Sequence, residues 1–91
     1  MPELENAKGN RWLTTLVFHK KDPISVIEKL RKFNIESRPL WKPMHLQPVF
    51  KDYIVFSNGV SEDLFNRGIC LPSGTELSDE DIEKICNIIK Y

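Results

Sequence analysis

Apolar positions along this chain change period several times, and each change marks an element. Residues 11–18, Arg-Trp-Leu-Thr-Thr-Leu-Val-Phe, are rich in aromatic and β-branched side chains and predict a strand. Asp22-Pro23 then opens a helix, because Asp22 can accept a bond from a free N–H and Pro23 suits the first helical position. Ile24, Val26, Ile27, Leu30 and Phe33 follow a helical period, Lys29, Arg31 and Lys32 suit the negative end of the helix dipole, and Asn34 is a left-handed stop. Residues 35–38 predict a short second strand, ended by Pro39.

The second half is patterned as clearly, apart from residues 49–60, which carry a turn at Asn58-Gly59 and room for one short extended piece. Residues 61–68 predict a brief helix with Ser61 as cap, Glu62 and Asp63 in its first turn, Arg67 near its last and Gly68 as its end. Ile69-Cys70-Leu71 reads as a short buried strand stopped by Pro72-Ser73-Gly74. Ser78 then caps a final helix, with Asp81 in the place of a short-armed capping box. Ile82, Ile85, Cys86 and Ile89 fall at i, i+3, i+4 and i+7 and predict its apolar face. The sum is an α/β (α+β) two-layer sandwich, a small three-stranded sheet covered by two amphipathic helices. A right-handed crossover makes the first two strands parallel, with the third between or beside them. Residues 1–9 have no apolar period and read as a loose lead-in to a domain at 10–91.

Length and composition narrow the function. A chain of 91 residues is one small domain that buries roughly 60–65 % of its unfolded surface. Thirteen basic residues balance 13 acidic ones, which argues against a nonspecific nucleic-acid binder. No apolar run approaches a membrane span, and the acidic N-terminus is not a signal peptide, so the cytoplasm is the default compartment. Cys70 and Cys86 lack metal-ligand spacing and read as small core residues, so no metal site is expected. Glycine-rich phosphate loops and nucleophile elbows are missing, and no residue stands out as catalytic.

The candidate chemistry sits in Ser37-Arg38-Pro39-Leu40-Trp41-Lys42-Pro43-Met44-His45-Leu46-Gln47-Pro48. Three prolines exclude an uninterrupted helix and predict a rigid extended loop that forms one wall of a binding site. Arg38 can hold a carboxylate or phosphate in a two-pronged grip, Trp41 can stack a sugar or base, and His45 can donate or accept a hydrogen bond near neutral pH. The plainer alternative is that Arg38 pairs with a local Glu, Trp41 plugs the core and His45 caps a backbone carbonyl. Asn10-Arg11-Trp12 opens the first strand, where its polar groups face a cleft or water.

Asn10 to Thr14, Ile35 to Phe50, Leu64 to Gly74 and Leu77 to Ile82 together resemble, in order and spacing, the C-terminal end of the DegT/DnrJ/StrS sugar aminotransferases. The resemblance covers nearly the whole chain from Asn10 onward. It implies the small C-terminal domain of an aspartate-aminotransferase-fold enzyme that uses pyridoxal phosphate. Such enzymes move an amino group, usually from glutamate, to a keto group of a nucleotide-linked sugar for lipopolysaccharide, capsule, glycan or antibiotic synthesis. They act as homodimers. It implies substrate-binding roles for Arg38, Trp41 and His45, with Asn10 and Arg11 near the cleft, and architectural roles for Pro39, Pro43, Pro48 and Gly74. The large domain that carries the family's Schiff-base lysine is not represented, so the chain alone is expected neither to hold the cofactor nor to transaminate. The competing expectation is a free-standing binding or interaction module derived from that domain. A domain completed by a larger enzyme should bare an apolar patch, and a free-standing module should not.

Overall fold

In the computed structural model, which describes residues 3–91, the first strand is shorter than its apolar pattern: β1 spans Thr14–Val17. The chain ahead of it is turned. Arg11 adopts φ 55°, and the Asn10 side chain accepts a bond from the Trp12 N–H at 3.2 Å. This local turn competes with strand pairing, so the ladder begins only at Thr14. Met1 and Pro2, the first residues of the 1–9 lead-in, lie outside the described residues.

The helix caps form as their residue types dictate. Helix α1 spans Pro23–Arg31, with the Asp22 carboxylate accepting from the Ser25 N–H at 2.9 Å and proline at its start. Asn34 closes it at φ 59°, and the Ile35 N–H returns to the Leu30 carbonyl at 3.1 Å. Strand β2 is Arg38–Pro39, not 35–38, so Pro39 belongs to the strand it was expected to end. Its position explains this. β2 lies at the sheet edge, where the missing N–H costs no ladder bond, and pairing continues with the Leu40 N–H to the Gly68 carbonyl at 3.4 Å. The proline-rich loop is not extended throughout, because it coils into two 3₁₀ turns, Met44–Leu46 and Pro48–Phe50.

Helix α2 spans Val60–Arg67 and is capped by Gly59 at φ 83°, not by Ser61, which falls inside the first turn. The Asn58 side chain accepts from the Val60 N–H at 3.2 Å and completes that entry. Strand β3, Gly68–Leu71, follows without a loop. The sheet order is β1-β3-β2, and β3 runs antiparallel to both neighbours. The first two strands are therefore parallel with the third between them. Helix α3 spans Asp79–Lys90 and carries the reciprocal Ser78–Asp81 capping box. Lys21 holds its other end by donating from Nζ to the Ile89 and Lys90 carbonyls at 2.5 and 3.1 Å.

The core joins α1, β3 and α3 through Val26, Leu30, Ile69, Ile85 and Ile88, with Leu16, Phe18 and Leu71 against it. The buried face of α3 is rotated from its expected position. Ile85 and Ile88 are inside, whereas Ile82 is half exposed and Cys86 is exposed. Isoleucines occupy so much of this helix that two stripes overlap, and packing against α1 selects the one through Ile88. Cross-strand pairing sets Thr15, Cys70 and Arg38 in one row. Thr15 and Arg38 are exposed, so this face of the sheet is open.

The open face is one part of a larger excess of surface. The chain exposes 8004 Å², against about 5,500 Å² for a compact monomer of its mass. Folding therefore buries only about half of the unfolded surface, less than the 60–65 % expected from length. Residues 53–56, Tyr-Ile-Val-Phe, contribute heavily, with Ile54 86 % and Phe56 97 % exposed. Among the described residues, no partner is found for the backbone N–H groups of residues 54–56.

The caps make stability acid-sensitive. Hydrogen bonds from the Ser78 side chain and backbone hold the Asp81 carboxyl below its ordinary 3.8, and the bond from Arg67 does the same for Asp63. A carboxyl depressed in the folded state contributes stability that is present above the unfolded value and is lost as pH falls through the folded one. The melting temperature should hold steady near neutrality and drop as pH falls below 3.8. Asp81→Asn should lower it at neutral pH and flatten part of the acid limb in circular-dichroism melts; an unchanged limb would contradict the assignment.

Candidate functional site

An open groove of about 1210 Å³ runs past the end of β1, along β2 and beside α3. Sheet register positions its side chains. Arg38 is level with Cys70 at the middle of β3, Trp12 precedes β1, and Trp41 follows β2. Arg38, Trp12, Trp41 and Lys42 line the groove, as do Ser73 and Glu76 from the turn after β3 and Lys84 from α3.

Arg38 donates from Nε and Nη2 to Glu36 Oε1 at 2.8 and 2.6 Å. This is the plainer alternative for that residue. Both side chains are about three-quarters exposed, and exposed pairs contribute roughly 0–1 kcal/mol, so an incoming anion can displace Glu36 at little cost. Trp41 does not plug the core, because it is 67 % exposed on the groove wall. His45 does not cap a carbonyl. Its Nε2 hydrogen-bonds with Glu62 Oε1 at 2.6 Å and ties the first 3₁₀ turn to α2, outside the groove lining. Asn10 and Arg11 also lie outside it, Asn10 bonded to Trp12 and Arg11 donating to Glu3 at 3.0 Å. The structure thus brings Arg38 and Trp41 together and leaves His45, Asn10 and Arg11 in separate local contacts.

Sequence reasoning placed Trp12 at the opening of the first strand without a site role, and missed Lys42 and Lys84. Trp12 was the findable one, since an indole at the mouth of a strand and absent from the core periodicity needs another surface to meet. Ser37 Oγ lines the same region and is buried without a hydrogen-bond partner. Cys70, half-buried beside Arg38, has its thiol pushed up by burial and is a poor nucleophile. Among the described residues no group of three or more His, Cys, Asp and Glu could hold a metal ion, and no helix is long and apolar enough to cross a membrane.

Fold and groove together define a small α/β domain with an open groove beside its sheet. The chain belongs to the DegT/DnrJ/EryC1/StrS aminotransferase family, whose sequence model matches residues 1–90. It is 42 % identical over 96 residues to the putative pyridoxal phosphate-dependent aminotransferase EpsN of Bacillus subtilis, a match to all of this chain and 25 % of that protein. It is 33 % identical over 87 residues to the GDP-perosamine synthase of Vibrio cholerae, covering 87 % of this chain and 23 % of the synthase. A DegT DnrJ EryC1 StrS aminotransferase from Brucella abortus superposes on 86 % of this chain with TM-score 0.74 and 30 % identity, using 21 % of its own length. The chain spans about a quarter of the curated relatives it matches.

The family uses pyridoxal phosphate, and a helix start, with its free N–H donors, is a common seat for a phosphate. The starts here do not fit it. Asp22 occupies that of α1, Glu62 and Asp63 fill the first turn of α2, and Asp79, Glu80 and Asp81 fill that of α3. Each carboxylate repels an incoming phosphate. The three helix starts of the described residues therefore offer no seat for that phosphate.

Proposed function

We propose that residues 10–91 are the C-terminal small domain of an aminotransferase that moves an amino group from glutamate to a keto group of a nucleotide-linked sugar, for surface polysaccharide or glycan synthesis. In this reading the chain alone does not transaminate. The cofactor cradle and the Schiff-base lysine belong to a large domain, and the working enzyme is a homodimer. Arg38 meets an anionic group of the substrate, Trp41 covers the sugar, and His45 meets a sugar hydroxyl or phosphate. Asn10 and Arg11 border the cleft. Support comes from one observation above all: an open groove with Arg38 and Trp41 on its wall, in a family member spanning a quarter of its curated relatives. The exposed Tyr-Ile-Val-Phe at 53–56 weighs against a free-standing module, which would gain nothing by keeping it in water.

The test begins with the coding sequence upstream of Met1. In-frame continuation into a domain with a Schiff-base lysine supports the reading, and a stop codon with no such domain nearby removes catalysis from it. In the complete enzyme, Arg38→Ala should lower kcat/KM by about 10- to 100-fold, as loss of a charged hydrogen bond does. Unchanged kinetics would remove Arg38 from the site.

A further inference from the structure

The two tryptophans of this chain both line the groove, as does Arg38. Register gives the spacing. Thr14 pairs with Leu71, Arg38 with Cys70, and Leu40 bonds to Gly68, so Trp12 leads into β1 beyond the Leu71 end of β3 and Trp41 leaves β2 beyond its Gly68 end. At strand spacing the span from Leu71 to Gly68 alone is on the order of 10 Å, which argues against both indoles clamping one ring. Instead they serve the two ends of an elongated ligand. Trp12 is 70 % exposed and Trp41 67 %, although burying an indole is strongly favourable.

We propose that Trp12 is the stacking residue for the base of a nucleoside diphosphate sugar, whose diphosphate lies at Arg38 and whose sugar lies at Trp41. The direction follows from the residues. Trp41 is followed by Lys42, which also lines the groove and can donate to sugar hydroxyls. The Trp12 end offers a flat apolar surface followed by Leu13, suited to a base. Arg38 exchanges its exposed bond to Glu36 for phosphate oxygens, which match its fork in two-pronged geometry. This rests on the reading of the substrate as a nucleotide sugar, and assigns that substrate's orientation and a base-contacting residue.

The 91-residue chain itself serves for the experiment, since its only two fluorophores of this kind are Trp12 and Trp41. GDP, UDP and inorganic pyrophosphate are titrated, with tryptophan emission and calorimetry as readouts. GDP should quench emission, and the quenching should persist in Trp41→Phe. Trp12→Leu should weaken GDP binding about 10-fold or more, the usual loss when a base loses its stacking partner, and Trp12→Phe should restore most of it. Arg38→Ala should weaken all three probes. Far-UV spectra check that each variant folds, which is expected at an exposed position. If pyrophosphate binds as tightly as GDP through Arg38 and Trp12→Leu changes nothing, the Trp12 assignment is overturned while the aminotransferase reading stands. If no probe binds in an Arg38-dependent way, both the orientation and the substrate class fall.

Discussion

Leu30→Ala should lower the melting temperature by roughly 10–40 °C. Leu30 is one of two large side chains fully removed from water, and with Ile69 it joins α1 and α3 to the sheet. Truncating a buried leucine removes its transfer energy and leaves a cavity, a cost of about 2–5 kcal/mol. A domain of this size has about 5–14 kcal/mol in total, and each kcal/mol corresponds to roughly 4–8 °C. Ile24→Ala, on the exposed side of the same helix, is the control and should shift melting little. If both variants melt together in circular-dichroism scans, the core is not where the five buried side chains place it.

Gly68→Ala should be nearly as damaging, for a steric reason. A Cβ at Gly68 would stand 2.2 Å from Leu40 Cδ1, 2.7 Å from Leu40 Cγ and 2.7 Å from the Leu64 carbonyl oxygen. Its φ of −110° is ordinary, so no backbone strain is involved. The leucine side chain can swing away, but the carbonyl belongs to α2 and moves only if that helix leaves β3. Overpacking of this kind costs about 1–3 kcal/mol. The double variant Leu40→Ala with Gly68→Ala tests the account. It should recover only the leucine share of the loss, since the clash with Leu64 remains. A stable Gly68→Ala protein, or full recovery in the double variant, would count against it.

The contrast between these sites shows which features a linear chain displays. Asp22, Asn34 and the Ser78–Asp81 pair were legible because each acts within a few residues of itself, where the side chain and the orphan N–H are covalent neighbours. Pro39 within a strand was not, because an edge position exists only once β3 has chosen its partners. Likewise the phase of α3 depended on where α1 lay, and no periodicity in 79–90 alone could choose between its two stripes. At Gly59, left-handed geometry outweighed the hydroxyl of Ser61. The candidate site divided along the same line. Arg38 and Trp41 were visible as unusual side chains in a proline-rich run, whereas Trp12 joined them only through register across three strands.

The unusually wet folded state has a consequence for the unfolding transition. Denaturant sensitivity and the heat-capacity increment both scale with the area newly exposed, and here about half of the chain's potential surface is already exposed before unfolding starts. The slope against urea is therefore shallow and the thermal curve flat. A broad transition in this chain reflects a formed fold with little surface left to release, and not a molten one.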